Sequence, residues 1–132
     1  MARFVLLYHE CPAGYVRSSH WDLMLESGGV LRTWALTELP RAWQAVWERT
    51  SARFPSCPAL AQGDAVSAEA LADHRIEYLH EEGALSGVRG EVRRVEKGTY
   101  GGSECVGRWR VTLNGELWRG GALLADGRLV LR

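Results

Sequence analysis

The 132-residue sequence predicts a mainly β fold, a single compact antiparallel β-barrel with at most one or two short helices. Short runs rich in β-branched and aromatic residues recur about every eight to twelve residues, which is the spacing typical of β-barrels and β-sandwiches. Little sequence of helical periodicity separates these runs. The dipeptides Asn-Gly at 114–115 and Asp-Gly at 126–127 are strong hairpin signals, and they divide the tail 107–132 into strands.

The first part of the chain predicts a strand, a loop and a hairpin. RFVLLYHE (3–10) is rich in β-favouring residues and predicts the first strand. CPAGYVRSS (11–19) contains proline, glycine and serine and predicts a loop. HWDLMLE (20–26) alternates between its two faces, SGG (27–29) predicts a tight turn, and VLRTWAL (30–36) returns as the partner strand.

The middle of the chain has a less regular pattern. Two tryptophans four residues apart predict a short helix within 39–50. Residues 51–64 predict irregular structure, whereas 65–80 suits a helix by its alanines and a strand at its centre. The segment 81–90 predicts a glycine-rich connection, and 91–100 predicts a strand followed by a turn.

Composition and charge limit the class of protein. Sixteen Lys and Arg residues balance sixteen Asp and Glu residues, so the zero net charge argues against a protein that coats polyanions. The odd number of cysteines (Cys11, Cys57 and Cys105) predicts free thiols in a reducing compartment. The apolar part of the N-terminus is too short for a signal peptide or a membrane span. We therefore expect one cytoplasmic, monomeric domain over 1–132, with no membrane partner.

A histidine and a carboxylate share the polar face of the predicted strand 20–26. Alternation places His20 and Asp22 side by side, about 7 Å apart at Cα, where both side chains can reach one cation. His9, at the end of the first strand, is the natural third ligand, and Cys11 is an alternative ligand that would favour zinc. Two imidazoles and one carboxylate suit Mn, Fe or Zn with positions left open for water or substrate. The competing interpretation is an exposed polar strand face.

A second polar group lies in the stretch ADHRIEYLHEEG (72–83). If this stretch is extended, His74, Ile76 and Tyr78 share one face. A histidine and a tyrosine together could hold a phosphoryl group through charge-assisted hydrogen bonds and donate a proton to a leaving oxygen. The alternative is a polar loop with a half-buried tyrosine.

The stretches RFVLLYHE, HWDLMLESGGVLRTWAL, DHRIEYLHEEG and GTY occur in this order, and together they resemble the 3′-phosphoesterase domain of bacterial DNA ligase D. Members of that family carry a histidine after the first strand, then H-Y-D-L-R-L-E with G-V-L-x-S-W-A, and later D-H-P-x-x-Y with E-G. The closing strands with their glycine-marked turns are also similar. The resemblance touches most of the chain, is most specific in the central block, and has no counterpart for residues 37–64.

The resemblance implies a β-barrel with an accessible concavity and a Mn-dependent phosphoesterase, with Zn as the alternative metal. The implied reaction trims 3′ ends of DNA or of RNA-containing primer strands in DNA end repair, removing a ribonucleoside and then a 3′-phosphate. The family's metal ligands fall on His9, His20 and Asp22, and its phosphate-contacting catalytic pair falls on His74 and Tyr78. The implied partners are a DNA or RNA/DNA 3′ end and end-joining proteins such as a ligase or a Ku-like protein.

Two departures from the family pattern bear on catalysis. The family arginine in H-x-D-x-R is Met24 here, on the face predicted for His20 and Asp22, and methionine cannot clamp a phosphate. Losing such a donor typically lowers a rate about a hundredfold or more. The loop after His9 is longer than in the family and carries Arg17, a candidate to replace the missing phosphate-binding guanidinium. The alternative function is a non-catalytic, metal-containing module that binds a nucleic-acid end or a repair partner.

Overall fold

The computed structural model describes residues 1–51, 60–80, 82–84 and 90–132. Most of this part of the chain is strand, which confirms the predicted mainly β class. The strands are β1 (Arg3–Glu10), β2 (His20–Ser27), β3 (Val30–Leu36), β4 (Ala65–Ser67), β5 (Glu69–Arg75), β6 (Gly83–Ala84), β7 (Glu91–Cys105), β8 (Arg108–Gly115), β9 (Arg119–Ala125) and β10 (Arg128–Leu131). The helices are α1 (Gln44–Ser51) and the short 3-10 helices Arg41–Trp43 and Ile76–Leu79.

The strands form one antiparallel sheet in the order β4-β10-β9-β8-β7-β1-β2-β3-β5, with β6 paired to β7. Its outermost strands, β4 and β5, are neighbours in the sequence and are separated by Ala68 alone. Ala68 is buried, and its N–H donates to the Gly127 carbonyl oxygen at 2.8 Å. No ladder joins β4 to β5 in the described residues, so hydrogen bonds do not close the sheet. The predicted barrel is a loose one, in which the chain itself connects the two edges.

Alternation divides the side chains of β1 and β2 between two apolar regions. Trp21, Leu23 and Leu25 point into the main core, as the sequence pattern predicts. On the opposite face lies a smaller apolar cluster, whose buried members are Val5, Leu7, Met24, Leu31 and Leu79. Because alternate residues share a face, His9 and His20 lie on the same side as this smaller cluster, outside the main core. The fold thus places the predicted polar site next to the smaller cluster.

The helix predicted within 39–50 is confirmed. The chain forms the 3-10 helix and then α1, in which Trp47 is almost fully buried. The Trp47 ring lies edge-on to Tyr8 and Trp21, with ring centroids 5.0 and 5.4 Å apart, a favoured arrangement for aromatic pairs. The helix thus covers part of the main core. None of the helices in the described ranges is long and apolar enough to span a membrane.

The segment 65–80, which suited both a helix and a strand, is extended at its centre. It forms β4 and β5 and then ends in the 3-10 helix Ile76–Leu79. Of the segment predicted to be irregular, residues 52–59, including Cys57, lie outside the described residues. Residues 81 and 85–89 of the predicted glycine-rich connection lie outside them as well. The described cysteines, Cys11 and Cys105, are free thiols.

The turn predicted at the end of 91–100 is wrong, because β7 continues to Cys105. Gly98 pairs with Phe4 on one side and with Gly115 on the other. A Cβ at position 98 would collide with the carbonyl oxygen of Asn114. Glycine therefore serves here for close packing of three strands, and the turn is formed further on, where Val106 and Gly107 have positive φ.

Of the two predicted Asx-Gly turns, one is confirmed and one is displaced. Asp126 and Gly127 have φ values of +54° and +72° and connect β9 to β10 directly, as the hairpin rule predicts. Asn114 and Gly115 instead end β8 in extended backbone, and the turn follows them. A three-residue connection, 116–118, links β8 to β9, with the Gly115 N–H donating to the Trp118 carbonyl oxygen at 2.9 Å.

A buried carboxylate organises this displaced turn. Glu96 is 6% exposed, and its Oε1 accepts the N–H groups of Lys97 and Glu116, each at 2.9 Å. Its Oε2 accepts the N–H groups of Leu117 and Trp118, each at 2.8 Å. One side chain thus accepts four backbone N–H groups, three of them from the turn, and the Glu116 N–H also donates to the Lys97 carbonyl oxygen at 3.1 Å. The competition between this carboxylate and a two-residue turn explains why Asn114-Gly115 does not form the hairpin turn.

Candidate metal centre

His9 and His20 are brought together by the pairing of β1 with β2. They are direct cross-strand partners in the antiparallel register, so their side chains lie on the same face. Their ring centroids are 5.2 Å apart, and the residues are 9% and 4% exposed. Two imidazoles at this separation and depth are positioned to share one ligand.

The hydrogen bonds of His20 show which of its nitrogens is available. Nδ1 lies 2.8 Å from the carbonyl oxygen of Ser18, which can only accept, so Nδ1 carries a proton. Nε2 faces Oδ1 of Asp22 at 3.1 Å. In the neutral imidazole Nε2 is an acceptor, as is the carboxylate oxygen, so this contact requires a proton or a cation between them. A carbonyl on the far nitrogen of a histidine is the arrangement that commonly orients metal ligands.

Asp22 is a buried carboxylate with an unsatisfied oxygen. The residue is 4% exposed, and Oδ1 makes no well-aligned hydrogen bond, although His20 Nε2 lies near it. Burial lowers the pKa of His20, but the close contact with the Asp22 carboxylate and its negative charge, with the Ser18 carbonyl, outweigh burial and raise the pKa overall. The carboxylate thus favours a positive charge at this position.

Cys11 completes a group of close metal-ligating atoms. One such atom from each of His9, Cys11 and His20 lies within 4.8 Å of the other two. Cys11 Sγ lies 3.9 Å from His20 Nδ1. Burial, and then the charge of Asp22, raise the pKa of the Cys11 thiol. These three residues could hold a metal ion; Asp22, the third ligand predicted from the sequence, contacts the group through His20.

All of the predicted site residues except Tyr78 line one cavity of about 280 Å³. His9, His20 and Asp22 meet Arg17 and His74 there, and the rest of the wall is formed by Tyr15, Val16, Leu71 and Ala72. β5 contributes His74 because it pairs with β3, with His74 opposite Leu31. Residues far apart in the sequence therefore converge on one concavity.

His74 and Tyr78 are in contact, but not as the sequence pattern predicts. The strand ends at Arg75, and Tyr78 lies in the 3-10 helix, so the two residues do not share the face of one strand. Their rings are nevertheless 5.3 Å apart and nearly perpendicular. His74 Nδ1 donates to the Ala72 carbonyl oxygen at 3.0 Å, which leaves Nε2 free to exchange a proton with a bound molecule. Tyr78 packs against the smaller apolar cluster.

Arg17 lies at the cavity wall and is engaged by a carboxylate. Its two terminal nitrogens contact Glu69 at 2.9 and 3.2 Å, a bidentate pair. This pair also lines an adjoining cavity of about 370 Å³ that shares His20 with the first. The hydrogen bond and charge of Arg17 lower the pKa of Glu69. The guanidinium is thus beside the candidate metal centre and already binds a planar anionic group.

Met24 shares the face of His20 and Asp22, as alternation predicts, but it is not a wall of the cavity. The residue is 1% exposed and packs in the smaller cluster with Leu31 and Leu79. An arginine there would have to displace apolar neighbours. The position at which the resembling family carries its phosphate-binding arginine is therefore part of the smaller apolar cluster in this protein.

Sequence reasoning missed two residues of the site, Tyr15 and Glu69. The Tyr15 ring lies 5.9 Å from that of His9, and no pattern in the loop 11–19 points to it. Glu69 reaches Arg17 because it lies opposite Ala35 in the β3–β5 ladder, a pairing between distant segments.

Comparison of the sequence with models of known protein families gives no match, and comparison with curated protein sequences gives none either.

Proposed function

We propose that the protein is a metal-dependent phosphoesterase that acts on 3′ ends of DNA or of RNA-containing primer strands. The observation that carries this proposal is the contact of His20 Nε2 with Asp22 Oδ1 at 3.1 Å, with His9 beside it. Two buried acceptors facing each other need a proton or a metal cation between them, and the imidazole of His9 offers a cation a third ligand. The sequence resemblance supplies the reaction, removal of a 3′-ribonucleoside and of a 3′-phosphate in end repair.

The donor set suits a divalent metal. His9, His20 and Asp22 would hold it, and the unsatisfied Oδ1 of Asp22 fits such a ligand. A bound divalent cation would neutralise phosphate oxygens and orient an attacking water. The carbonyl of Ser18 fixes the His20 ring so that Nε2 stays directed at the carboxylate.

His74 is the proton donor to the leaving oxygen in this proposal. It lines the same cavity as His20 and Asp22, and its Nε2 is the ring nitrogen that the Ala72 carbonyl leaves free. Tyr78 holds the His74 ring by their perpendicular contact. In this proposal Tyr78 orients the His74 ring through this contact.

Arg17 binds the substrate phosphate in place of the arginine that Met24 replaces. A phosphate and a carboxylate present similar pairs of oxygens to a guanidinium, so Glu69 occupies the position that the substrate needs. The pair is partly exposed, with side chains 39% and 63% accessible, so exchange of one anion for another is inexpensive.

Replacing Glu69 by glutamine is therefore expected to lower the KM for a 3′-phosphorylated primer by roughly two- to fivefold, because an exposed ion pair competes only weakly with the substrate phosphate. Steady-state kinetics of phosphate release measure this. Asp73→Asn is the matched control, since it removes another exposed carboxylate–arginine pair from the same strand, that with Arg32. A higher KM in Glu69→Gln would contradict the competition between Glu69 and substrate.

The test of the function offers the purified protein a primer-template with a 3′-phosphate, in the presence of Mn²⁺ or Zn²⁺. We expect inorganic phosphate to be released by the parent protein and by His80→Ala, which changes an exposed histidine, but not by His20→Ala. A primer with a 5′-phosphate measures end preference, and one with a 3′-ribonucleotide measures the second activity. Absence of release with every divalent metal tested would refute the proposal.

The second candidate function is a metal-containing module that binds a nucleic-acid end or a repair partner without turnover. Two observations favour it: Met24 is packed in an apolar cluster, and Arg17 is held by Glu69. Binding of the primer-template without phosphate release would support this alternative. Turnover of a generic phosphodiester with no preference for DNA would instead indicate a small-molecule hydrolase.

A further inference from the structure

We propose that the outer face of β8, β9 and β10 binds the sugar-phosphate backbone of the nucleic-acid strand whose 3′ end enters the cavity of the candidate metal centre. The proposal rests on the proposed function and adds a surface outside that cavity. Five of the sixteen basic residues of the chain are arginines within 108–132, where only two residues are acidic. A chain of zero net charge therefore concentrates positive charge in its last three strands.

The arginines of these strands point away from the main core. Trp109 and Val111 of β8, Leu124 of β9 and Leu129 of β10 belong to the main core, and alternate residues of a strand point to opposite faces. The residue after β10 continues the ladder, because its N–H donates to the Gly121 carbonyl oxygen at 2.9 Å. We call the outward side of these strands the arginine face, and its exposed arginines are Arg108, Arg110, Arg119, Arg128 and Arg132.

Most of the positive charge on the arginine face is not neutralised by the part of the chain that the structure describes. Arg108 pairs with Asp126 at 3.0 Å, and both side chains are half or more exposed. The other four arginines form no ion pair with any described residue. An exposed guanidinium without a carboxylate is available to a phosphate, which it can bind through two parallel N–H···O bonds.

The shape of the arginine face suits a nucleic-acid backbone. Small residues lie between the arginines, with Ala125 opposite Arg128, and a concavity of about 340 Å³ is lined by Arg108 and Arg110. None of the outward residues of β8, β9 and β10 is aromatic, whereas protein–protein interfaces are enriched in aromatic residues. Recognition of a polyanionic backbone depends on charge, so the face fits a nucleic acid better than an acidic protein.

The arginine face adjoins the candidate metal centre at the junction of β4 and β5. Arg128 is the cross-strand partner of Ser67, and Ser67 lines the cavity of about 370 Å³ together with Arg17 and His20. Because neighbouring strands lie about 4.8 Å apart, Arg128 directly follows the wall of this cavity. A strand with its 3′ end at His20 thus meets Arg17 first and then Arg128 on its way onto the arginine face.

The experiment measures binding of a fluorescently labelled DNA dodecanucleotide to the full-length protein by anisotropy at several salt concentrations, with EDTA present to prevent turnover. In the double variant Arg110→Gln/Arg128→Gln we expect the affinity to fall about tenfold or more. The slope of log affinity against log salt should become shallower by about one to one and a half, since each phosphate contact to a single strand contributes about 0.7. The matched control is Arg49→Glu, which changes the net charge equally at an exposed position of α1 and should bind as the parent does.

Three outcomes would overturn the inference. The first is binding by the double variant within about twofold of the parent, and the second is a parent protein that binds no strand. The third is equally tight binding of poly-glutamate of the same charge, which would indicate a surface for acidic proteins.

Failure here and failure of the proposed function are distinguishable, because phosphate release is measured on a 3′-phosphorylated dinucleotide and on the 3′-phosphorylated dodecanucleotide. The dinucleotide is too short to reach the arginine face, so we expect the parent to have a lower KM for the longer strand and the double variant to lose this difference. Release with one KM for both lengths would leave the phosphoesterase and remove the arginine face. Strand binding that depends on the arginines, with no release, would leave the arginine face and remove the phosphoesterase.

Discussion

Replacing Asp22 by asparagine is expected to lower phosphate release about 100- to 1000-fold while leaving the fold intact. The substitution keeps the shape of the side chain but removes the negative charge that faces His20 Nε2 at 3.1 Å. Metal ions supply several kcal/mol of charge stabilisation to phosphoryl chemistry, and each 1.36 kcal/mol is about tenfold in rate. The measurement is kcat/KM for the 3′-phosphorylated primer, with metal affinity determined in parallel.

The control for this experiment is Asp64→Asn. Asp64 also accepts a hydrogen bond, from the backbone of Ala42, but it is exposed and lies outside the site. Thermal unfolding of both variants should match the parent closely enough to exclude a folding defect. Activity of Asp22→Asn within threefold of the parent at saturating metal would show that the Asp22 carboxylate is not needed to bind the metal.

Replacing Glu96 by glutamine is expected to destabilise the protein by about 3 kcal/mol. The carboxylate accepts four backbone N–H groups, two on each oxygen. In glutamine one of these oxygens becomes an NH₂ group, which cannot accept, so two of the backbone N–H groups would lose their acceptor. Hydrogen bonds to a charged group contribute about 1.5–3 kcal/mol each, and water reaches part of the exposed turn and recovers some of the loss. Urea unfolding followed by tryptophan fluorescence measures the change in free energy of unfolding.

Glu104 offers a matched comparison within the same strand. It is exposed and accepts a single backbone N–H, from Gly107, at 3.0 Å. Glu104→Gln is expected to change the free energy of unfolding by less than about 1 kcal/mol, as is usual for exposed sites. A loss in Glu96→Gln no larger than that in Glu104→Gln would mean that the buried carboxylate does not hold the turn.

Local patterns were sufficient for the strands with uninterrupted β-favouring sequence. The predicted bounds of β1 and β3 agree with the structure, and the alternation of β2 places Trp21 in the core and Met24 on the opposite face. These features depend on near neighbours and on a two-residue period. The prediction failed where distant strands decide the backbone. Gly98 suggests a turn by composition, yet contacts from two neighbouring strands make it a close-packed strand residue.

The candidate site also combines features that the local sequence predicts with features that depend on distant contacts. The nearness of His9 to His20 follows from two short strands and their register. The place of Cys11 depends on how the loop folds back onto Ser19, and the place of Glu69 depends on a ladder between β3 and β5. Neither can be predicted from spacing, because loop closure and long-range pairing are set by the whole fold.

The junction at Ala68 also connects opening of the sheet edge to the ion pair between Arg17 and Glu69. β4 is held by three residue pairs to β10, and such a short outer strand opens at a lower free energy than the strands inside the sheet. Glu69, the first residue beyond Ala68, holds Arg17. If the separation of β4 from β10 extends past Ala68, the Glu69 carboxylate moves and its ion pair with the Arg17 guanidinium breaks. One piece of chain, around Ala68, thus joins the two edges of the sheet and carries the carboxylate that pairs with Arg17.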